Sequence, residues 1–111
     1  GKDTIPIERL ISYANEYSLS LDYLFGIVSK NEKYSPAEID LDAIAKALTQ
    51  LRIENKFTQE SVAKKLNTSQ AAYSHYETAT YIIPTTFVYG LTKIYKPFSI
   101  DELFGRKKIK P

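Results

Sequence analysis

One phrase of this chain is written twice. Ser20-Leu21-Asp22-Tyr23-Leu24-Phe25-Gly26 returns as Ser99-Ile100-Asp101-Glu102-Leu103-Phe104-Gly105, and each copy is preceded by an Ile-Pro pair, Ile5-Pro6 or Ile83-Pro84. Proline to aspartate spans 16 residues in the first copy and 17 in the second. Proline lacks an N–H and holds φ near the helical value, so it opens a helix, whereas glycine permits the left-handed residue that ends one. Each copy therefore reads as a helix, a short turn and a second, shorter helix. Two short helices with similar caps would share part of this pattern, but the full order Pro, Ser-x-Asp-x-Leu-Phe-Gly is more than capping requires. A repeated helical hairpin restricts the chain to folds in which two such units find room.

The remaining sequence is helical in pattern, with no segment alternating strongly enough to demand a strand, so the fold class is all-α. At 111 residues with 43% apolar content there is room for one small domain with a core, plus an appendage. The chain has no cysteine, which removes disulfides, thiol nucleophiles and thiolate metal sites, and its single histidine, His75, cannot hold a metal alone. No catalytic residue, metal ligand or cofactor is assigned: nothing resembles a nucleophile elbow or a phosphate loop, and adjacent helical positions such as Ser74 and His75 do not face one another. The apolar runs are too short to span a bilayer, and no charged start followed by an apolar stretch suggests a signal peptide. A cytoplasmic protein without membrane contact is expected.

Residues 29–35 are polar and aperiodic and read as a linker. Beyond them, Ser35-Pro36-Ala37-Glu38 fits a helix start, with Ser35 as cap and Glu38 closing a capping box. That helix is expected to run to about Asn55, with Leu41, Ile44, Leu48 and Leu51 on one face. Thr58 caps a second helix whose Val62, Ala63 and Leu66 point inward. Asn67-Thr68 makes a turn. Ser69 caps a third helix reaching about Thr78, with Tyr73 and Tyr76 inward and Gln70, Ala71, Ser74, His75 and Thr78 outward. The second copy of the repeat supplies Phe87, Val88, Leu91, Ile94 and Tyr95, then the short helix before Gly105.

Thr58-Gln59-x-x-Val62-Ala63-x-x-Leu66, a short turn and Ser69-x-x-x-Tyr73-Ser74-x-Tyr76-Glu77 together resemble the helix-turn-helix of the Xre/Cro-like, phage-repressor-type family, over residues 41–105. The resemblance implies a five-helix, lambda-repressor-like domain, here residues 36–105, and a transcriptional regulator, by expectation a repressor, that binds double-stranded DNA sequence-specifically. It also implies an ion pair between Arg52, late in the first helix of the domain, and Glu77, at the end of the third. Such a helix fits the major groove, where short polar side chains reach base edges. Gln70 is the leading reader, because its amide donates and accepts as adenine's edge requires. Ser74 and His75, one turn on, would meet bases or phosphates, although His75 reads equally well as an ordinary surface histidine. Ala71 keeps the surface low enough to approach a thymine methyl. Gln59, at the start of the second helix, and Lys56 just before it are assigned to the phosphate backbone. Lys64 and Lys65 are left between phosphate contact and a solvated helix face.

Net charge is only +2. Residues 1–36 hold four basic against five acidic side chains, which leaves eleven basic against eight acidic downstream. Four of those basic residues, Arg106, Lys107, Lys108 and Lys110, form a basic tail over 106–111 that reads equally well as a bland solvated end or as a functional basic segment, and no role is assigned to it. Two departures from the family pattern stand out. Where a glycine usually follows the glutamate by two residues, this chain has Ala79, and the loop Tyr81-Ile82-Ile83 is apolar where relatives carry basic residues. That loop is a candidate protein interface, and it motivates an alternative reading as an interaction or oligomerisation module that keeps the fold without binding DNA.

Residues 1–28 resemble the last two helices of a second, truncated domain of the same kind, and Gly1-Lys2 suits the loop after a reading helix. They are expected to be either that remnant of a tandem protein or a dimerisation arm. In both cases the apolar face of Leu10, Ile11, Ala14, Tyr17 and Leu24 calls for a partner, a tandem domain or a second copy in a homodimer.

Overall fold

Among the described residues, five of the seven helices begin under a side chain whose oxygen takes the backbone N–H three residues on: Ser20 from Tyr23, Asp40 from Ala43, Thr58 from Ser61, Ser69 from Ala72 and Ser99 from Glu102. Each such cap satisfies one of the four N–H groups a helix start leaves open and contributes about 1 kcal/mol. The other two helices begin after the repeated prolines, Pro6 and Pro84. In the computed structural model, which describes residues 5–109, the helices are α1 (Ile7–Tyr17), α2 (Leu21–Leu24), α3 (Leu41–Glu54), α4 (Gln59–Lys65), α5 (Gln70–Glu77), α6 (Thr85–Ile94) and α7 (Ile100–Leu103). Gly1-Lys2 and Lys110 lie outside the described residues. The only β-type pairing among those residues is an isolated antiparallel bridge between Tyr34 and Lys108.

The expected helix start at Ser35-Pro36 is not found. Helix α3 begins five residues later, capped by Asp40. The intervening backbone is held in other pairings. Ser35 donates its N–H and its hydroxyl to the Lys107 carbonyl at 2.7 and 3.1 Å, and the Asn15 amide clasps Ala37, donating to its carbonyl at 2.9 Å and accepting its N–H at 3.2 Å. These backbone groups are already satisfied, so nothing is gained by winding them into a helix.

Helices α3 to α7 close around Ile44, Leu48, Val62, Ala63, Leu66, Tyr73, Ile83, Val88, Leu91, Tyr95, Ile100, Leu103 and Phe104. The same buried cluster includes Ile7, Ile11 and Ala14 of α1 and Leu21 of α2. The face expected to be orphaned is thus mostly covered from within the chain. Ile11 and Ala14 are buried, Leu10 and Leu24 pack partly against the core, and only Tyr17 remains largely outside.

What binds the first hairpin to the last is the repeat itself. Asp101, at the start of α7, accepts the N–H of Leu21 at 2.7 Å, the N–H of Asp22 at 3.1 Å and the Ser20 hydroxyl at 2.8 Å, all at the start of α2. Asp22 returns the arrangement, accepting the N–H of Ile100 at 2.6 Å and the Ser99 hydroxyl at 2.7 Å. Each aspartate caps the other copy's helix, so the two hairpins are related by an approximate two-fold axis. The left-handed Gly26 and Gly105, at φ +78° and +76°, end both copies alike.

The symmetry breaks at the next residue, Ile27 in one copy and Arg106 in the other. Arg106 does not lie in a solvated tail. Instead it is 1% exposed, its Nη1 paired with Asp101 and its Nε donating to Asn15 Oδ1 at 3.1 Å. Lys107 and Lys108 do remain exposed, Lys108 in a surface pair with Glu32. Asp22 has no such cation among the described residues, and burial, its largest influence, holds its carboxyl above the usual range despite the Ser99 and Ile100 hydrogen bonds.

Candidate nucleic-acid interface

Helix α5 is fixed at its C-terminal end by one carboxylate. Arg52 Nε donates to Glu77 Oε2 at 2.8 Å and Arg52 Nη2 to Oε1 at 3.1 Å, while Thr49 Oγ1 and Gln59 Nε2 donate to the same Oε1 at 3.0 and 3.1 Å. Arg52 also donates through Nη1 to the Phe57 carbonyl at 3.0 Å. Donors from α3 and from the start of α4 therefore converge on the end of α5. Burial alone would raise the Glu77 carboxyl, but the hydrogen bonds, Arg52 foremost, outweigh it and hold the group below the usual carboxylate range. The same contact raises the Arg52 guanidinium. A paired, two-toothed contact of this kind sets angle as well as distance.

Beneath this knot lies Tyr73, wholly buried in the core, its ring 6.2 Å from that of Tyr76 in an edge-on arrangement. Burial pushes the Tyr73 phenol far up and that of Tyr95 up to about 12, so both are neutral core groups at physiological pH. The inner side of α5 is thereby packed, and its outer side is left to Gln70, Ala71 and His75, all exposed, with Ser74 half-buried. The Ser74 hydroxyl donates to the Ala71 carbonyl at 2.7 Å, leaving its oxygen able to accept. The His75 ring meets the edge of Tyr81 at 5.5 Å.

Lys56 is exposed in a left-handed conformation, φ +59°, where the chain leaves α3. Gln59 is half-buried; one amide hydrogen goes to Glu77, and its second hydrogen and its carbonyl are not used in the knot. Lys64 is exposed, and Lys65 lies 5.4 Å above the Phe57 ring. Sequence reasoning did not foresee Thr49 in the knot. Its position, three residues before Arg52 on α3, is the available signal.

The loop after α5 divides. Tyr81 is 61% exposed, but Ile82 packs partly against the core and Ile83 is 0% exposed. Ile83 therefore cannot present a surface to another protein; it opens the second hairpin as a core residue. Ala79 takes the left-handed conformation at φ +62°, the position where a glycine was missed, and the Thr80 N–H reaches the His75 carbonyl at 3.0 Å to close the helix end.

The family model described as helix-turn-helix matches residues 48–103, just over half of the chain, from the middle of α3 to the end of α7. No match is found among curated proteins or among solved structures. The matched span contains the Arg52–Glu77 pair, α4, the turn and α5, and the chain belongs to the Xre/Cro-like helix-turn-helix family of DNA-binding regulators.

Proposed function

We propose that α5 enters the major groove of double-stranded DNA and that the protein is a sequence-specific transcriptional repressor. The observation that carries this reading is the Glu77 knot, which fixes the end of α5 against α3 and α4 while Gln70, Ala71 and His75 face outward together. Gln70, in the first turn, pairs with adenine; Ser74 and His75 read or touch the backbone one turn on; Ala71 admits a thymine methyl. Gln59, through its remaining amide hydrogen, and Lys56 hold phosphates and set the register. A symmetric operator asks for two reading helices about 34 Å apart, so a second head comes from a tandem domain or a second copy. DNA in the cytoplasm is the setting this implies; no helix among the described residues is long and apolar enough to cross a membrane.

The test is selection of binding sequences from a random duplex library. An enriched motif is expected, and Gln70→Ala is expected to relax it at one position and cost about 10- to 100-fold in affinity there, with an unchanged salt slope. No enriched motif with the wild-type protein refutes the reading. Exposed Tyr81 beside His75 favours a second reading, a protein-interaction module. Salt separates the two: phosphate contacts release counterions and weaken steeply with ionic strength, whereas an interface on Tyr81 does not.

A further inference from the structure

Helix α1 keeps one apolar stripe that its own domain leaves uncovered. Ile7, Ile11 and Ala14 face the core, and a quarter-turn away lie Leu10, half-buried, and Tyr13 and Tyr17, 49% and 58% exposed, with the two rings 4.9 Å apart and tilted by 54°. The spacing i, i+3, i+7 is that of a helix seam that packs against another helix. The stripe is continuous with an apolar groove of about 460 Å³ lined by Ile5, Leu10, Leu24, Phe25 and Tyr89.

The outer flank of the stripe carries Arg9 and Glu16, both exposed and neither in an ion pair among the described residues. They stand one heptad apart with opposite charge. In a two-fold antiparallel pairing of α1 with itself, the residue at 9 faces the residue at 16 of the other helix, twice by symmetry. The same register layers Leu10 against Tyr13 of the second copy and seats Tyr17 over the Ile5-Pro6 end of the other helix. One axis thus satisfies the apolar stripe and both charges, which makes the surface self-complementary.

We propose that two copies of this chain pair through α1, antiparallel, along Leu10, Tyr13 and Tyr17, with Arg9 of each copy against Glu16 of the other. The pairing supplies the second reading helix that the proposed repressor needs, and to that extent rests on that reading. The pairing itself is measured without DNA, so either can fail alone.

Sedimentation of the whole chain at low salt provides the test, with mass spectrometry under native conditions to identify mixed species. The wild type is expected to dimerise at micromolar concentration. Arg9→Glu alone and Glu16→Arg alone each place two like-charge pairs across the axis and are expected to weaken the dimer about tenfold. Mixing the two variants restores opposite charges at both contacts, so the mixed dimer is expected to form in preference to either homodimer, and the double variant R9E/E16R is expected to return to wild-type affinity. Tyr17→Asp abolishes pairing while leaving the circular dichroism of the monomer unchanged, because Tyr17 lies outside the core. A wild-type monomer overturns the proposal, as does a dimer indifferent to single reversals or one that the mixture fails to restore.

Discussion

Asp22 and Asp101 occupy matching positions in the two hairpins, yet replacing each by asparagine is expected to have very different consequences. Asp101 receives three hydrogen bonds from the start of α2 and pairs with Arg106, and both partners of that pair are essentially inaccessible to water. Asp101→Asn removes the charge that compensates a buried guanidinium and turns an NH2 group towards donors that need an acceptor. Breaking a buried pair from one side costs about 3–5 kcal/mol. Against the roughly 5–15 kcal/mol of a whole domain, that is a large share, and the variant is expected to unfold at a markedly lower urea concentration than the wild type. Asp22→Asn leaves no cation stranded. It weakens two hydrogen bonds, to Ile100 and Ser99, and a loss of about 1–2 kcal/mol is expected.

Urea unfolding followed by circular dichroism at pH 7 measures both, and Asp101→Asn should lose about 1–4 kcal/mol more than Asp22→Asn. The pH dependence adds a second check. Because burial raises Asp22 in the folded state, folding favours its protonated form, and the penalty for ionising it is present above the raised pKa and relieved as pH falls through it. Wild type should therefore gain stability relative to Asp22→Asn as pH is lowered from 7 through that raised value. Equal losses for the two variants at pH 7 would refute the claim that Arg106 breaks the symmetry of the exchange.

The remaining predictions concern the reading helix. Ala79→Gly replaces a side chain held at φ +62° by the residue that adopts this conformation freely, and should raise the unfolding free energy by about 1 kcal/mol without altering DNA affinity. Glu77→Gln strips Arg52 of its carboxylate partner and should cost about 2–4 kcal/mol in urea unfolding. The lowered Glu77 carboxyl contributes stability that is fully present above its unfolded value and lost as pH falls through the folded one. Acid titration of the wild type should accordingly show a loss below about pH 4 that the Glu77→Gln variant lacks.

Local signals placed most of this fold. Thr58 and Ser69 announced the starts of α4 and α5 because a hydroxyl cap acts within three residues, and the positions of Leu48, Val62 and Tyr73 followed from helical spacing alone. Ser35 misled for the opposite reason: its local chemistry suits a helix cap, but the Lys107 carbonyl, 72 residues away, claims both its donors. Arg106 was hidden in the same way, since a cation among lysines reads as solvated until Asp101 and Asn15 are brought to it by the closure of two hairpins. The repeat is visible in the sequence; what its local pattern does not reveal is that two copies in one chain satisfy each other. Each Ser-x-Asp start has open N–H groups and a carboxylate, so two of them facing across a two-fold axis exchange what each lacks. What that exchange leaves unmatched is the outer stripe of α1. There the sequence again offers complementary groups one heptad apart, Arg9 and Glu16, and the pairing we propose extends to two chains the exchange that closes the hairpins within one.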